Sequence, residues 1–285
     1  MILQVRLYRS LDISQICWLL QEAFVKLNSA GPRQRSASEE IFVSYVENVT
    51  RCTTCAIRHR AICDALSANE IQALNRLSRK RTIPAGQMIL GEGEARSIFA
   101  NIVSGVVKLT KTLDDGRQHI IGLLFASDFL GRAFRQDNPY FAEAATEVEL
   151  CVFPTAGFER LLNEHPGLEH RLFQFTLTEL DACQEWMLLL ARKKAEERVA
   201  SFLLMIAKRV PNLGGAASEK ENEVRFVLPL SRTEISDCLG LTIETVSRQI
   251  TRLKTKGVIE LMNYREILIP DIRRLQQAAY DSMTA

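Results

Sequence analysis

One long stretch of the chain contains neither glycine nor proline, the residues that most often interrupt a helix. It lies between Gly167 and Pro211. Within it, uncharged side chains recur at alternating spacings of four and three residues, the pattern of a helix that packs along a second helix. The stretch predicts one long helix from about Glu169 to Lys208, which packs on its own domain or, more simply, on a second copy of the chain. The seam residues are Phe173, Leu177, Leu180, Gln184, Met187 and Ala191.

A second region, from Ile83 to about Phe153, changes to short apolar runs separated by glycines. Seven of the 14 glycines fall between Gly86 and Gly131. Short runs rich in Ile, Val, Phe and Thr between glycine turns predict an antiparallel barrel or sandwich. Before them, residues 67–70 have the pattern of a capping box, which predicts a short helix to about Arg79. The runs are residues 97–103, 105–112, 118–124 and 144–153.

A segment near the C-terminus has the signals of two short helices joined by a tight turn. Ser231 and Glu234 form the Ser-x-x-Glu pattern of a capping box, which opens the first helix. Gly240 supplies a sharp turn, Thr242 can cap a second helix, and Gly257 ends it. Together these signals predict a helix-turn-helix.

The second of these helices separates its apolar and polar faces. Val246, Ile250 and Leu253 recur at helical spacing, which predicts that they face the core. The opposite face presents a carboxylate, hydroxyls and guanidinium groups, which can contact base edges in a major groove. Residues 245–256 carry four basic side chains and no acid, which favours contact with phosphates. The runs 258–262 and 266–269 that follow predict a β-hairpin wing. The outward residues are Glu244, Ser247, Arg248, Thr251 and Arg252.

Three of the seven cysteines form a dense cluster, Cys52-x₂-Cys55-x₇-Cys63. Thiolates at such spacings on a loop can converge on a metal centre, either tetrahedral zinc or a [4Fe–4S] cluster, and can also form a redox disulfide. Both kinds of metal centre need a fourth ligand, for which the candidates are His59, near in sequence, and Cys151, at the end of a β-type run. The remaining cysteines, Cys17, Cys183 and Cys238, lie alone within helical patterns, and we expect them to pack in the core.

Composition excludes several classes of protein. Hydrophobic residues make up 47% and charged residues 25% of the 285 residues, which is typical of globular domains. The formal net charge of +2 argues against a globally basic polyanion binder, so any nucleic-acid surface must be local. No apolar run approaches the roughly 18 residues that span a bilayer, and no secretory leader is evident. We therefore expect a cytoplasmic protein of about two domains, without a membrane partner.

These motifs resemble those of the cyclic-AMP-receptor/FNR (CRP/FNR) family of bacterial transcription regulators, and most closely its oxygen-sensing FNR branch. The resemblance covers residues 52 to about 275. Its most specific parts are the segments 239–248 and 187–198, the turn Ser127-Asp-Phe-Leu-Gly131 and the cysteine set. It implies an α+β fold: an N-terminal antiparallel β-roll of the cyclic-nucleotide-binding kind, a long dimerisation helix and a C-terminal winged helix-turn-helix.

The resemblance also implies roles for individual residues. Glu244, Ser247 and Arg248 would read two-fold symmetric double-stranded DNA with half-sites like TTGAT. The loop 113–117 would contact RNA polymerase. The family members that bind cyclic nucleotides hold the phosphate with a glutamate and an Arg-Ser pair, but this chain has Arg132 and Asn138-Pro139 there, so no cyclic nucleotide is expected. An oxygen-labile [4Fe–4S] cluster, one per subunit, would be ligated by Cys52, Cys55, Cys63 and Cys151, although the x₇ spacing departs from the x₅ of the best-known member.

The resulting organisation has an N-terminal extension (1–50), a cysteine loop with a β-roll (51–165), a dimerisation helix (166–210) and a winged helix-turn-helix (211–285). The expected function is that of a homodimeric activator of low-oxygen gene expression, and not of an enzyme. The alternative is a regulator of the same family with structural zinc or a thiol–disulfide switch in the cysteine loop. An iron–sulfur enzyme or electron carrier would not account for a dimer helix and a groove-reading helix.

Overall fold

The computed structural model describes Cys52, residues 54–209 and residues 222–280. The predicted extension 1–50 and Cys17 lie outside these residues, as do residues 210–221. The cysteine loop leads through a short 3-10 helix, Ile62–Ala65, into α1, Ala68–Leu77. The capping box at Ser67 forms with both of its hydrogen bonds, and α1 ends two residues before the predicted Arg79, where the first strand begins.

Two four-stranded antiparallel sheets form the β-domain, in the orders β1-β8-β3-β6 and β2-β7-β4-β5. The inner faces of the two sheets pack against each other in one buried cluster. The first sheet contributes Ile102 and Leu150 among others, and the second sheet contributes Val107 and Ala142. The predicted sandwich is therefore confirmed. The strands are β1 Arg79–Ile83, β2 Met88–Leu90, β3 Ile98–Ser104, β4 Val107–Thr112, β5 Gln118–Leu124, β6 Phe129–Leu130, β7 Phe141–Ala144 and β8 Val148–Pro154.

The predicted single long helix is wrong in one respect, because the structure divides it at Lys193. After α2, Thr155–Glu164, helix α3 covers Pro166–Arg192 and helix α4 covers Ala195–Arg209. Lys193 has extended backbone angles. Hydrogen bonds stabilise the break: Glu197 accepts from the Lys194 amide at 2.9 Å, and Arg198 donates to the Lys193 carbonyl at 2.9 Å. The chain can thus change direction without a glycine or proline.

The C-terminal part contains a three-stranded sheet and three helices. The predicted wing forms as strands β10, Glu260–Leu261, and β11, Glu266–Ile269, and is joined by a strand that was not predicted, β9, Val224–Val227. Helices α5, Arg232–Leu239, and α6, Ile243–Thr255, form the helix-turn-helix. The last helix, α7, Ile272–Tyr280, packs on α4.

Among the described residues, no helix is both long enough and apolar enough to cross a membrane.

Candidate DNA-binding surface and cysteine site

The turn between α5 and α6 is fixed by local hydrogen bonds. The Ser231 hydroxyl accepts from the Glu234 amide at 3.2 Å, and the Glu234 carboxylate accepts from the Ser231 amide at 2.8 Å, as predicted. Gly240 adopts a left-handed conformation (φ 60°, ψ 42°), which few residues with a side chain tolerate. Thr242 caps α6 by accepting from the Thr245 amide at 3.2 Å. These contacts set the angle at which α6 leaves the turn.

Helix α6 buries the face that the sequence predicts. Val246, Ile250 and Leu253 are at most 2% exposed and belong to a core shared with α4 and α7. The five predicted DNA-contacting residues all lie on the exposed side of α6. Hydrogen bonds from its own backbone amide and from Thr242 lower the pKa of Glu244, so its carboxylate is available to accept from cytosine N4. The helix therefore presents an acceptor and several donors to solvent.

Arg252 differs from the other predicted DNA-contacting residues, because its guanidinium already forms an ion pair within the protein. Its Nε lies 3.1 Å from a carboxylate oxygen of Glu196, in the first turn of α4. Lys256, one turn further along α6, pairs with the other oxygen of the same carboxylate. No sequence pattern predicts this pairing, since Glu196 precedes α6 by about fifty residues.

Arg232 is a candidate phosphate contact that the sequence analysis missed. It is the first residue of α5 and only 8% exposed, and its Nη1 has no hydrogen-bond partner among the described residues. Burial lowers its pKa. Its guanidinium lies 5.9 Å from the centre of the Tyr264 ring, on the turn of the wing. A buried cation at a helix N-terminus with an unused donor is suited to an oxyanion. Its position directly after the capping Ser231 was the available signal.

The structure brings the four predicted cysteine ligands into one region. Cys63 lies in a buried cluster of the β-domain, and Cys52, Cys55 and Cys151 pack against that same cluster. Burial, followed by the charges of Cys55, Cys151 and Cys52, raises the pKa of Cys63 to about 12. Cys151 lies on β8, directly opposite Lys80 and Asn101 on the neighbouring strands.

None of the described cysteines forms a disulfide. Cys52 donates to Asn75 Oδ1 at 3.3 Å, and Cys63 has a long contact of 3.9 Å with the carbonyl of Arg58. Within the described part of the chain, no three His, Cys, Asp or Glu side chains converge as ligands of a single metal ion. The thiols therefore share a region without meeting at one point.

His59, the other candidate for a fourth ligand, lies at the surface. Its side chain is 85% exposed, and its Nδ1 lies 4.0 Å from Asp64. It is also absent from the charged groups that act on Cys63. This arrangement favours Cys151.

The six seam residues of α3 are all exposed in the single chain, Met187 at 68% and Phe173 at 58%. Cys183, which we expected in the core, is also exposed, so that expectation is wrong. The reason is that the middle of α3 has little of its own chain around it: only Leu168 and Leu189, near its two ends, are buried. Cys238 is 1% exposed and packs in the core as predicted.

The β-domain positions that the resemblance assigns to cyclic-phosphate binding have other contacts in this chain. Asn138 is 4% exposed, and its side-chain amide donates to the Gly91 carbonyl at 3.1 Å. Arg132 is exposed, and its backbone carbonyl accepts from Arg96. Asn138 thus stabilises the loop itself.

Comparison with known proteins identifies both halves of this architecture. Residues 197–278 match the family model of the Crp-like helix-turn-helix domain, and residues 80–165 match that of the cyclic nucleotide-binding domain. The solved structure of FixK2 from Bradyrhizobium japonicum superimposes with a TM-score of 0.63 and 30% identity, over 70% of this chain and 96% of that one.

Two curated relatives span most of the chain. A probable transcriptional activator of Rhizobium leguminosarum bv. viciae is 48% identical over 226 residues, 79% of this chain and 92% of that protein. The transcriptional activator protein FnrL of Cereibacter sphaeroides is 42% identical over 231 residues, 81% of this chain and 92% of that protein. The chain belongs to the CRP/FNR family. It is a DNA-binding transcription regulator and not an enzyme.

Proposed function

We propose that the protein is a homodimeric transcriptional activator that senses oxygen through a [4Fe–4S] cluster, one per subunit, held by Cys52, Cys55, Cys63 and Cys151. The observation that carries the proposal is the gathering of these four thiols, although Cys151 is 88 residues beyond Cys63 in the chain. Packing of structural cysteines in a core would not require all four members of the set to lie in the same region.

The donor set and its surroundings fit such a group. Four cysteine thiolates are the usual ligands of a [4Fe–4S] cluster, with one thiolate for each iron. A structural zinc instead needs its sulfur ligands about 2.3 Å from one point. Cys52, Cys55 and Cys151 all act electrostatically on Cys63, which supports a site shared by the four thiols. The aromatic side chains of Phe153 and Phe158 belong to the same buried cluster and restrict access of water.

The cysteine loop is placed to influence the dimer helix. Ile57 and Ile62 of the loop pack in one cluster with Leu168, in the first turn of α3. When bound, a [4Fe–4S] cluster supplies bonds between the loop and β8 that oxygen can destroy. With the loop held, α3 keeps the orientation in which its exposed seam pairs with the seam of a second copy. With the loop released, that orientation is one of several, and the dimer weakens.

Dimer formation sets the DNA geometry. Two copies of α6 related by a two-fold axis enter successive major grooves about 34 Å apart. Glu244, Ser247 and Arg248 contact base edges of TTGAT-like half-sites, and Arg232 contacts a phosphate. The turn between β4 and β5 exposes Leu113 and carries a pair between Asp115 and Arg117. This turn is the surface we assign to RNA polymerase. The phosphate-binding side chains of the cyclic-nucleotide-binding relatives are replaced, so no cyclic nucleotide is required.

The second candidate function keeps the DNA-binding half and changes the trigger. The loop thiols Cys52, Cys55 and Cys63 form no disulfide and lie near one another. They could instead form a disulfide on oxidation or bind zinc together with Cys151.

Metal analysis of anaerobically purified protein separates these functions. We expect a brown protein with about four irons and four sulfides per chain that bleaches in air. A colourless protein with one zinc per chain would contradict the cluster. So would a metal-free protein whose only response to air is a disulfide among the loop cysteines, detected by thiol counting.

A further inference from the structure

Glu196 occupies an unusual position for an acid in a DNA-binding protein. Helix α6 carries Glu244, Arg248 and Arg252 at successive spacings of four residues, and its C-cap residue Lys256 continues the spacing, so these side chains follow one ridge of the exposed face. Glu196 belongs to another helix, α4, and its carboxylate binds the last two cations of this ridge. A phosphate that approaches this end of α6 therefore meets two cations that are already paired with a carboxylate.

The geometry is that of a specific pair. Glu196 Oε2 lies 3.1 Å from Arg252 Nε, and Oε1 accepts from Lys256 Nζ. The carboxylate side chain is 17% exposed, whereas those of Arg252 and Lys256 are 60% and 47% exposed. The acid is thus fixed against the protein, and the two cations reach over it from the solvent side.

Helix packing does not account for the pair. The contact between α4 and α6 is made by fully buried apolar residues, among them Val199, Leu203 and Val246. The favourable interaction of an acid with the N-terminus of α4 explains an acid in its first turn, but not its two cationic partners. Glu197, the neighbouring acid, already accepts from the Lys194 amide and is 6% exposed.

We propose that Glu196 restrains sequence-independent binding to DNA by competing with phosphates for Arg252 and Lys256. The inference rests on DNA binding through α6 and does not depend on the cysteine site. Contacts with phosphates attract any DNA equally, because they carry no sequence information. A carboxylate that holds two of the four cations between residues 245 and 256 lowers this general attraction. The base contacts of Glu244 and Arg248 then contribute a larger share of the total affinity.

The test is the salt dependence of binding to a scrambled duplex, measured by fluorescence anisotropy with protein kept anaerobic. Each additional phosphate contact steepens the slope of log affinity against log salt by about 0.9. Glu196→Gln frees two cations per subunit, so we expect a slope steeper by about 1–2 per subunit and roughly tenfold tighter binding near 0.1 M salt. On a duplex with two TTGAT half-sites the gain is smaller, and the ratio of specific to non-specific affinity falls.

Glu92→Gln is the matched control. Glu92 pairs with Lys111 on the β-domain, its exposure (23%) is close to that of Glu196, and its loss changes the net charge equally. Glu196→Asp keeps the charge on a shorter side chain and should give an intermediate result. The gain from Glu196→Gln should disappear when Arg252 and Lys256 are both changed to Gln.

The proposal would be overturned if Glu196→Gln bound the scrambled duplex with the slope of the unmodified protein or of Glu92→Gln. A gain that persists without Arg252 and Lys256 would overturn it as well. If Glu196→Gln failed to fold, judged by circular dichroism, the Asp variant decides: unchanged binding would contradict the competition. This test does not depend on the oxygen-sensing proposal, because it compares how the variants bind a scrambled duplex that contains no half-sites. Failure of that proposal would leave the comparison valid.

Discussion

At the scale of single residues, Cys63 and Cys238 are both buried cysteines but have different neighbours. Cys238 is enclosed by the core of the helix-turn-helix, and burial, followed by the charge of Asp237, raises its pKa to about 12. The pKa of Cys63 reaches a similar value, but for Cys63 three further cysteines contribute to the shift. Burial is the larger cause of the raised pKa of Cys63, and the neighbouring cysteines add to it. A metal centre bound there would lower the pKa of each thiol, because its positive charge stabilises the thiolate.

Cys151→Ser should abolish the iron–sulfur cluster, since serine at this strand position removes the fourth thiolate. We expect iron and acid-labile sulfide to fall to background in anaerobically reconstituted protein. Cys183→Ser, the same chemical change at an exposed cysteine on α3, should retain the full content. His59→Ala should also retain it. A Cys151→Ser protein with about four irons per chain would show that another group is the fourth ligand.

Arg248→Ala should relax the preference for one base pair of the half-site. A bidentate contact between arginine and guanine contributes roughly 1–3 kcal/mol of discrimination, which is lost for the matching base pair and not for its neighbours. Competition binding against all single substitutions of the half-site measures this effect. Lys254→Ala is the comparison: it should weaken binding to all sequences about equally. A uniform loss with Arg248→Ala would assign that residue to phosphate contact.

At the scale of helices and strands, local signals predicted where elements begin but not where α3 ends. The capping boxes at Ser67 and Ser231 and the left-handed turn at Gly240 involve residues within a few positions of one another, so the sequence displays them. The break at Lys193 depends on distant contacts as well. Lys193 Nζ donates to the Ala279 carbonyl at 2.9 Å, and Arg198 donates to the Leu239 carbonyl at 3.2 Å. No local pattern announces contacts of this kind.

Leu177→Glu should dissociate the dimer. The side chain is 44% exposed in the single chain, and in a paired seam a charge there would lie in an apolar contact. Burial of a leucine is worth roughly 1.5–3 kcal/mol, so we expect the dimer to weaken at least about tenfold. Sedimentation equilibrium of the anaerobic protein measures the dissociation constant of the dimer. Thr178→Glu, on the opposite face of α3, should leave it unchanged. An unaltered dimer with Leu177→Glu would place the interface elsewhere.

At the scale of the whole molecule, one lysine joins the β-domain to the helix-turn-helix. Lys108 of β4 lies 2.9 Å from Glu143 of β7 and 2.6 Å from Glu234 of α5, and its side chain is 15% exposed. Burial disfavours the charged lysine, but its hydrogen bonds to the two carboxylates outweigh burial and raise its pKa. Burial raises the pKa of Glu234, but its hydrogen bonds to Lys108 and Ser231 outweigh burial and lower the pKa. The ion pair between Lys108 and Glu234 therefore connects the capping box of α5 to the β-domain.

Lys108→Met should destabilise the protein by about 1–2 kcal/mol at pH 7, because two partly buried carboxylates lose their cation. The lowered pKa of Glu234 contributes stability above the ordinary carboxyl pKa, and this contribution disappears as the pH falls through the folded-state pKa. The difference between the two proteins should therefore shrink towards pH 3.5. Urea unfolding at both pH values measures it. Lys111→Met, the control, removes the cation of the more exposed pair with Glu92 and should change the free energy of unfolding little. If the loss of stability in Lys108→Met were the same at both pH values, it would come from packing and not from the ion pairs.

Much of the architecture was predictable because its signals are local or periodic: the two sheets, the helix-turn-helix, the wing and the buried face of α6. The cysteine motif predicted three of the gathered thiols, and the fourth depended on the resemblance to a known family. Ion pairs between distant elements, such as Lys108 with Glu234 and Glu196 with Arg252, were not predictable. They depend on how finished elements pack, which no spacing in the sequence records.

The most direct test of oxygen-controlled DNA binding is one titration of a duplex with two TTGAT half-sites, performed before and after exposure of the same protein sample to air. We predict tight binding by the anaerobic dimer, and loss of that binding in step with release of sulfide and conversion to monomer. Binding that is unchanged after the metal centre has been lost would contradict oxygen control, because the cysteine site would then have no influence on α6.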